Sequence, residues 1–196
     1  MCAGVEGVLA RFVSRLIRVQ PGVRTLEIGR AIGPLSRWLT TNVKKVTTQL
    51  IALPPGPPLV CEGIDTETPV RGWQEIWPDE ESYDLVLVFN GIHWLPPSAA
   101  DSVLPKLLKA LAPGGQLVIA DLFLPFSSWP LQLDWLTHGG TNWLKVADVL
   151  SRLRQEGCQP VPSTIPGSPF QFISTAKPGV DPNVYSIGEG SIRCLK

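Results

Sequence analysis

Apolar positions along this chain fall into short blocks that switch between helical and strand periods. Val5, Val8, Leu9, Phe12, Val13, Leu16 and Ile17 recur at helical spacing and predict an amphipathic helix packed on the fold. Arg11, Arg15 and Arg18 on the same segment also fit a mitochondrial presequence, but the continuous apolar face favours the packed helix. Pro21-Gly22 breaks it. Val23 to Ile28 then reads as a short buried strand, followed by a turn from Gly29 to Gly33 and a helix through Leu35, Trp38 and Leu39. A second strand is expected over Lys45 to Ala52, and a third over Leu59 to Ile64. Between them Pro54-Pro-Gly-Pro-Pro58 excludes a helix and leaves a stiff connection.

The second half is read in the same way. Tyr83-Asp-Leu-Val-Leu-Val-Phe89 has the composition of a buried strand and follows the turn-prone run Asp79 to Ser82. Ser98 to Leu111 has helical spacing with Ser98 at the N-cap, and Pro113-Gly114-Gly115 stops it. Gln116 to Ala120 is a further strand, Trp143 to Glu156 a helix closed by Gly157, and Phe170 to Ala176 a last strand. One domain over residues 1–178 and a flexible tail over 179–196 are expected.

Strands alternating with helices predict an α/β fold with a mostly parallel sheet covered on both faces. Ligands of such sheets bind beyond the carboxyl ends of the strands. That rule directs attention to Gly29 to Gly33, Asp65, Asn90 to His93 and Asp121.

Composition narrows the function classes. The 196 residues suffice for a single core, and 44% hydrophobic with 17% charged residues is a globular mixture. Seventeen basic residues balance seventeen acidic ones, so net charge gives no footprint for nucleic acid or an anionic membrane. Cys2, Cys61, Cys158 and Cys194 lie far apart with no metal-ligand spacing, which fits reduced thiols in the cytoplasm and no metal site. No apolar run approaches the ~20 residues that span a bilayer.

Three segments, in this order and spacing, resemble the class I S-adenosylmethionine methyltransferases. They are Leu26-Glu-Ile-Gly-Arg-Ala-Ile-Gly33, Ser82-Tyr-Asp-Leu-Val-Leu-Val-Phe-Asn-Gly-Ile-His-Trp-Leu95, and Leu107-Leu-Lys-Ala-Leu-Ala-Pro-Gly-Gly-Gln-Leu-Val-Ile-Ala-Asp121. The resemblance covers about residues 20–178. It implies a Rossmann-like, seven-stranded sheet with one reversed strand and S-adenosylmethionine across its strand ends. Asn90-Gly-Ile-His93 is similar to the loop of small-molecule and polyketide carbon methyltransferases, where a histidine and a carboxylate act together as a base. On that likeness His93 and Asp121 are the catalytic candidates.

The resemblance also assigns a cofactor cradle. Glu27, Gly29, Ala31 and Gly33 would form the glycine turn, Asp65 would meet the adenine, and Asn90 would line the methyl-transfer gap. Ala31 replaces the middle glycine and narrows the approach of backbone to ligand. The acid that normally grips the ribose is missing, because no Asp or Glu occurs from Ile28 through Cys61. Gln49 is the nearest substitute, without the charge-assisted grip of a carboxylate. The helix usually present between the second and third strands is replaced by the proline bridge.

Each residue has a plainer reading beside the functional one. Glu27 fits a satisfied carboxylate at a loop end, Asp65 and Asn90 fit turns, and Asp121 fits a cap on a strand end with His93 packed against Trp94. His138 lies in a segment that would cover the substrate. Trp129, Trp135 and Trp143, three of seven tryptophans, fit either an aromatic-walled pocket or, as the plainer reading, the core or an interface with a neighbour.

Two functions follow as expectations. The first is methyl transfer from S-adenosylmethionine to a carbon or oxygen of a small acyl or polyketide-like molecule, with His93 as base and Asp121 orienting it. The second is a pseudoenzyme that uses the fold as a structural or interaction module, engaging a partner protein or a neighbouring domain. Derivation from a megasynthase is a third expectation.

Overall fold

A computed structural model describes residues 17, 21–29, 31–32, 47–52, 59–60, 70–72, 80–89, 91–92, 97–123, 145–164 and 170–178. The first helix, the helix after Gly33 and the tail over 179–196 lie outside these residues, as does the connection over 53–58 that was expected to lack a helix.

Nine strands and two helices are described: β1 (Arg24–Gly29), β2 (Ala31–Ile32), β3 (Thr47–Ala52), β4 (Leu59–Val60), β5 (Val70–Gly72), β6 (Tyr83–Phe89), α1 (Pro97–Ala110), β7 (Leu111–Leu122), α2 (Val146–Gln155), β8 (Val161–Thr164) and β9 (Phe170–Ala176). Seven strands form one sheet in the order β5-β3-β1-β6-β7-β9-β8. The pairs from β5 across to β7 are parallel, and β9 runs antiparallel to both β7 and β8. β2 and β4 form a separate parallel ladder. This is an α/β, Rossmann-like sheet whose strand order reverses between β1 and β6.

The core explains why these segments are strands. Leu26, Glu27 and Ile28 of β1 are each at most 1 % exposed, and Leu85 to Val88 of β6 are all buried. Successive strand residues point to opposite faces, so both faces of the sheet centre are covered. α1 contributes Val103, Leu104, Leu107 and Leu108 to the same core cluster, and α2 contributes Val149 and Leu153. Those are i, i+3, i+4 positions, the stripe that a helix lays on a sheet.

Several expectations are corrected in detail. The third strand of the sheet is Val70–Gly72; Leu59–Val60 is a strand but pairs with Ala31–Ile32 instead. α1 starts at Pro97, so Ser98 is inside the helix, and proline at the first helical position sacrifices only an N–H that has no intrahelical partner. α2 starts at Val146 rather than Trp143, with the Lys145 N–H donating to Asp148 Oδ2 at 3.3 Å. Its end matches the expectation for Gly157, which has φ +79°. Gly157 N–H donates to Arg154 O and Cys158 N–H to Leu153 O, both at 3.0 Å, which is the pairing of a Schellman motif.

The amino edge of the sheet, opposite the ligand end, is tied by polar contacts. The Arg24 guanidinium and backbone N–H hold Asp84 at 2.9–3.1 Å. Lys177 Nζ donates to Leu111 O at 2.7 Å and reaches Glu81 at 3.2 Å, and Lys177 N–H donates to Gly115 O at 2.9 Å. Gly115 sits where a Cβ would lie 2.9 Å from Ala112 O and 3.0 Å from Tyr83 O. There the register slips, with Tyr83 opposite Leu111 but Leu85 opposite Gln116. Cys158 is a buried free thiol whose pKa burial pushes up.

Candidate functional site

Strand register defines the floor of the site. Gly72, Ala52, Gly29, Phe89 and Ala120 are neighbours in one row across β5, β3, β1, β6 and β7. Residues after this row rim the crevice at the reversal of strand order, where ligands enter such sheets.

Asp121 is the best-defined side chain there. It follows Ala120 in β7, is 0 % exposed, and its Oδ2 accepts the backbone N–H groups of Gly91 at 3.0 Å and Ile92 at 2.7 Å. The carboxylate therefore fixes the start of the loop that leads to His93. Hydrogen bonds accepted by a carboxylate oxygen are stronger than those between neutral groups. Gly91 and Ile92 enter the site through their main chain, a role that no side-chain pattern in the sequence reveals.

Glu27 is 1 % exposed in β1, two residues before Gly29 and on the same face of the strand. Gly29 ends β1, and Ala31 continues into the β2–β4 ladder. Gly33, Asp65, Asn90, His93 and His138 lie outside the described residues, as do Trp129, Trp135 and Trp143.

Gln49 is not at the rim. It pairs in register with Leu26 and precedes the last residue of its strand, Ala52, by three positions. At ~3.3 Å per strand residue this puts it roughly 10 Å below the floor row. The residue level with Gly29 is Ala52, followed in sequence by Leu53-Pro54. Counting from the glycine turn leads to Gln49; the register leads past it.

The adenosyl cofactor can be tested against this rim. A ribose diol needs a carboxylate or an equivalent acceptor just past the second strand. Here that strand ends in alanine, no acid occurs between Gly29 and Cys61, and the turn residues Ala31–Ile32 are paired with Leu59–Val60. No residue from Gly29 to Cys61 therefore supplies the carboxylate that would hold a ribose at this end. Among the described residues no group of three or more His, Cys, Asp or Glu could hold a metal ion, and no helix is long and apolar enough to cross a membrane.

No protein-family model matches the sequence, and no curated protein matches it. Solved structures do match in fold. A putative methyltransferase of Haloferax volcanii, in complex with the Trm112 methyltransferase activator, is similar with a TM-score of 0.66 at 14% identity, over 90% of this chain and 92% of that one. Phosphoethanolamine N-methyltransferase 2 of Haemonchus contortus, in complex with phosphomonomethylethanolamine and S-adenosylhomocysteine, gives 0.67 at 13% identity over 86% of this chain. This chain spans about half of that enzyme, 52% of its length. The [4+2]-cyclase SpnF gives 0.65 at 13% identity, over 89% of this chain and 81% of that one. The fold is that of the S-adenosylmethionine-dependent methyltransferases.

Proposed function

We propose that this chain carries the methyltransferase fold without transferring methyl groups and serves as a structural or interaction module. One observation carries the reading: β3 ends at Ala52 beside Gly29, with no carboxylate from Gly29 to Cys61 to hold a ribose. The fold itself is neutral on activity, since folds of this kind host many functions. A neighbour described as a [4+2]-cyclase illustrates that breadth, and a neighbour held by an activator protein supports a protein partner for this chain. Calorimetry and thermal shift with S-adenosylmethionine and S-adenosylhomocysteine at millimolar concentration test the proposal. The expected result is no heat and no shift. A Kd of 100 µM would instead give about 1.4 kcal/mol of stabilisation at 1 mM ligand, or a rise in Tm of roughly 3–6 °C, and would overturn the reading.

The alternative is an active methyltransferase on a small acyl or polyketide-like substrate. It is favoured by the complete burial of Asp121 at the carboxyl end of β7, where it braces the loop before His93. In that reading His93 removes a substrate proton, while Gly33, Asp65 and Asn90 complete the cofactor cradle. Transfer of labelled methyl from S-adenosylmethionine to acyl thioesters, lost in His93→Ala, would establish it.

A further inference from the structure

The β2–β4 ladder gives the crevice an occupant of its own. Ala31–Ile32 begins one residue beyond the end of β1, and β2 contacts β1 and β3 as well as β4. Gly29 is level with Ala52, so the ladder stands at the shared carboxyl end of β1 and β3. Its pairing is parallel, Ala31 with Leu59 and Ile32 with Val60. Paired strands lie about 4.8 Å apart, which is closer than any ligand could intervene on that edge. Main-chain N–H and C=O groups engaged in such a ladder are unavailable to a ligand, and a glycine turn serves ligands through its main chain.

The sequence around the ladder fits this role. Four of the five residues from Pro54 to Pro58 are proline. Proline limits the conformations open to the unfolded connection, so delivering Leu59–Val60 to the turn loses less entropy. Ile32, where a ligand-binding turn has a small or polar residue, is β-branched and at home in an extended pair.

We propose that Leu59–Val60 is a built-in strap that closes the nucleoside half of the crevice. This inference rests on the reading above only in taking the crevice as the ancestral ligand site.

Hydrogen-exchange mass spectrometry on the full chain tests the strap directly. In the wild type, amides in 31–32 and 59–60 exchange more slowly than in an unstructured peptide. Leu59→Pro and Val60→Pro each delete one N–H of β4, and at least one of them should speed exchange at 31–32 by about tenfold, leaving 85–88 protected. Unprotected amides at 31–32 in the wild type, or protection there that neither variant changes, would overturn the strap. Calorimetry with S-adenosylhomocysteine separates the two claims. Binding gained only in a proline variant supports the strap and removes the missing carboxylate as the reason for non-binding. Wild-type binding with 31–32 still protected overturns both the closure and the proposed function.

Discussion

Replacing Asp121 by alanine deletes the oxygen that accepts from the Gly91 and Ile92 N–H groups, while both residues stay buried. A buried donor left without a partner costs about 1–3 kcal/mol, so two cost roughly 2–6 kcal/mol. For a domain of this size each kcal/mol lowers Tm by about 2–4 °C, which gives a fall of at least about 4 °C for Asp121→Ala. Asp121→Asn is the informative partner variant. Its amide oxygen can take the Oδ2 position and accept both N–H groups, and the lost charge assistance there costs about 1–2 kcal/mol. Denaturant unfolding with unchanged slope, and hydrogen exchange at 91–92, would measure both. The expected order is wild type above Asn above Ala, with exchange at 91–92 fastest in Ala. An Asn variant as unstable as Ala, or an Ala variant within 1 kcal/mol of wild type, would refute the account of Asp121 as the brace of this loop.

Three further perturbations report on the opposite edge of the sheet. Gly115→Ala places a Cβ within 2.9–3.0 Å of two backbone oxygens that cannot swing aside, and should cost about 1–3 kcal/mol. Gly22→Ala, at φ +87° with nothing within 4 Å, should cost only about 1 kcal/mol; equal melting temperatures for the two would count against the packing argument. The hydrogen bond from Arg24 holds the Asp84 carboxyl below its ordinary value of 3.8. Its contribution is therefore present above that value and is lost as pH falls through the lower folded one. The wild type should lose slightly more stability than Asp84→Asn between about pH 5 and pH 3. Both partners are nearly half exposed, so the difference is at most about 1 kcal/mol and shrinks with salt; a larger loss in Asp84→Asn would reverse the sign.

Legibility in the sequence followed the physics of each element. Tyr83–Phe89 and Phe170–Ala176 were read to the residue because both segments are rich in β-branched and aromatic residues, which favour strands. Val161–Thr164 was missed: it is short, polar, largely exposed and contains Pro162, as sheet-edge strands often do. Leu59–Val60 has strand composition, yet composition cannot say which strand it joins, and it left the main sheet for the glycine turn. Gln49 was chosen by residue count, whereas the distance of a residue from the rim depends on register, which sets Gln49 three residues before Ala52. Asp121 was singled out in the sequence as a candidate, and the partners it has in the structure are main-chain groups that carry no signature in the sequence.

The clasp at Lys177 sets the direction in which the chain departs. Ala176 pairs with Gln116 at the start of the parallel run, so β9 delivers the chain to the amino edge, where Lys177 is bonded to Leu111 and Gly115. Pro178 is thus held on the side away from Asp121 and the Gly91–Ile92 loop. A tether, a fused domain or an immobilising tag placed there would hold the molecule by its base and leave the rim facing outward.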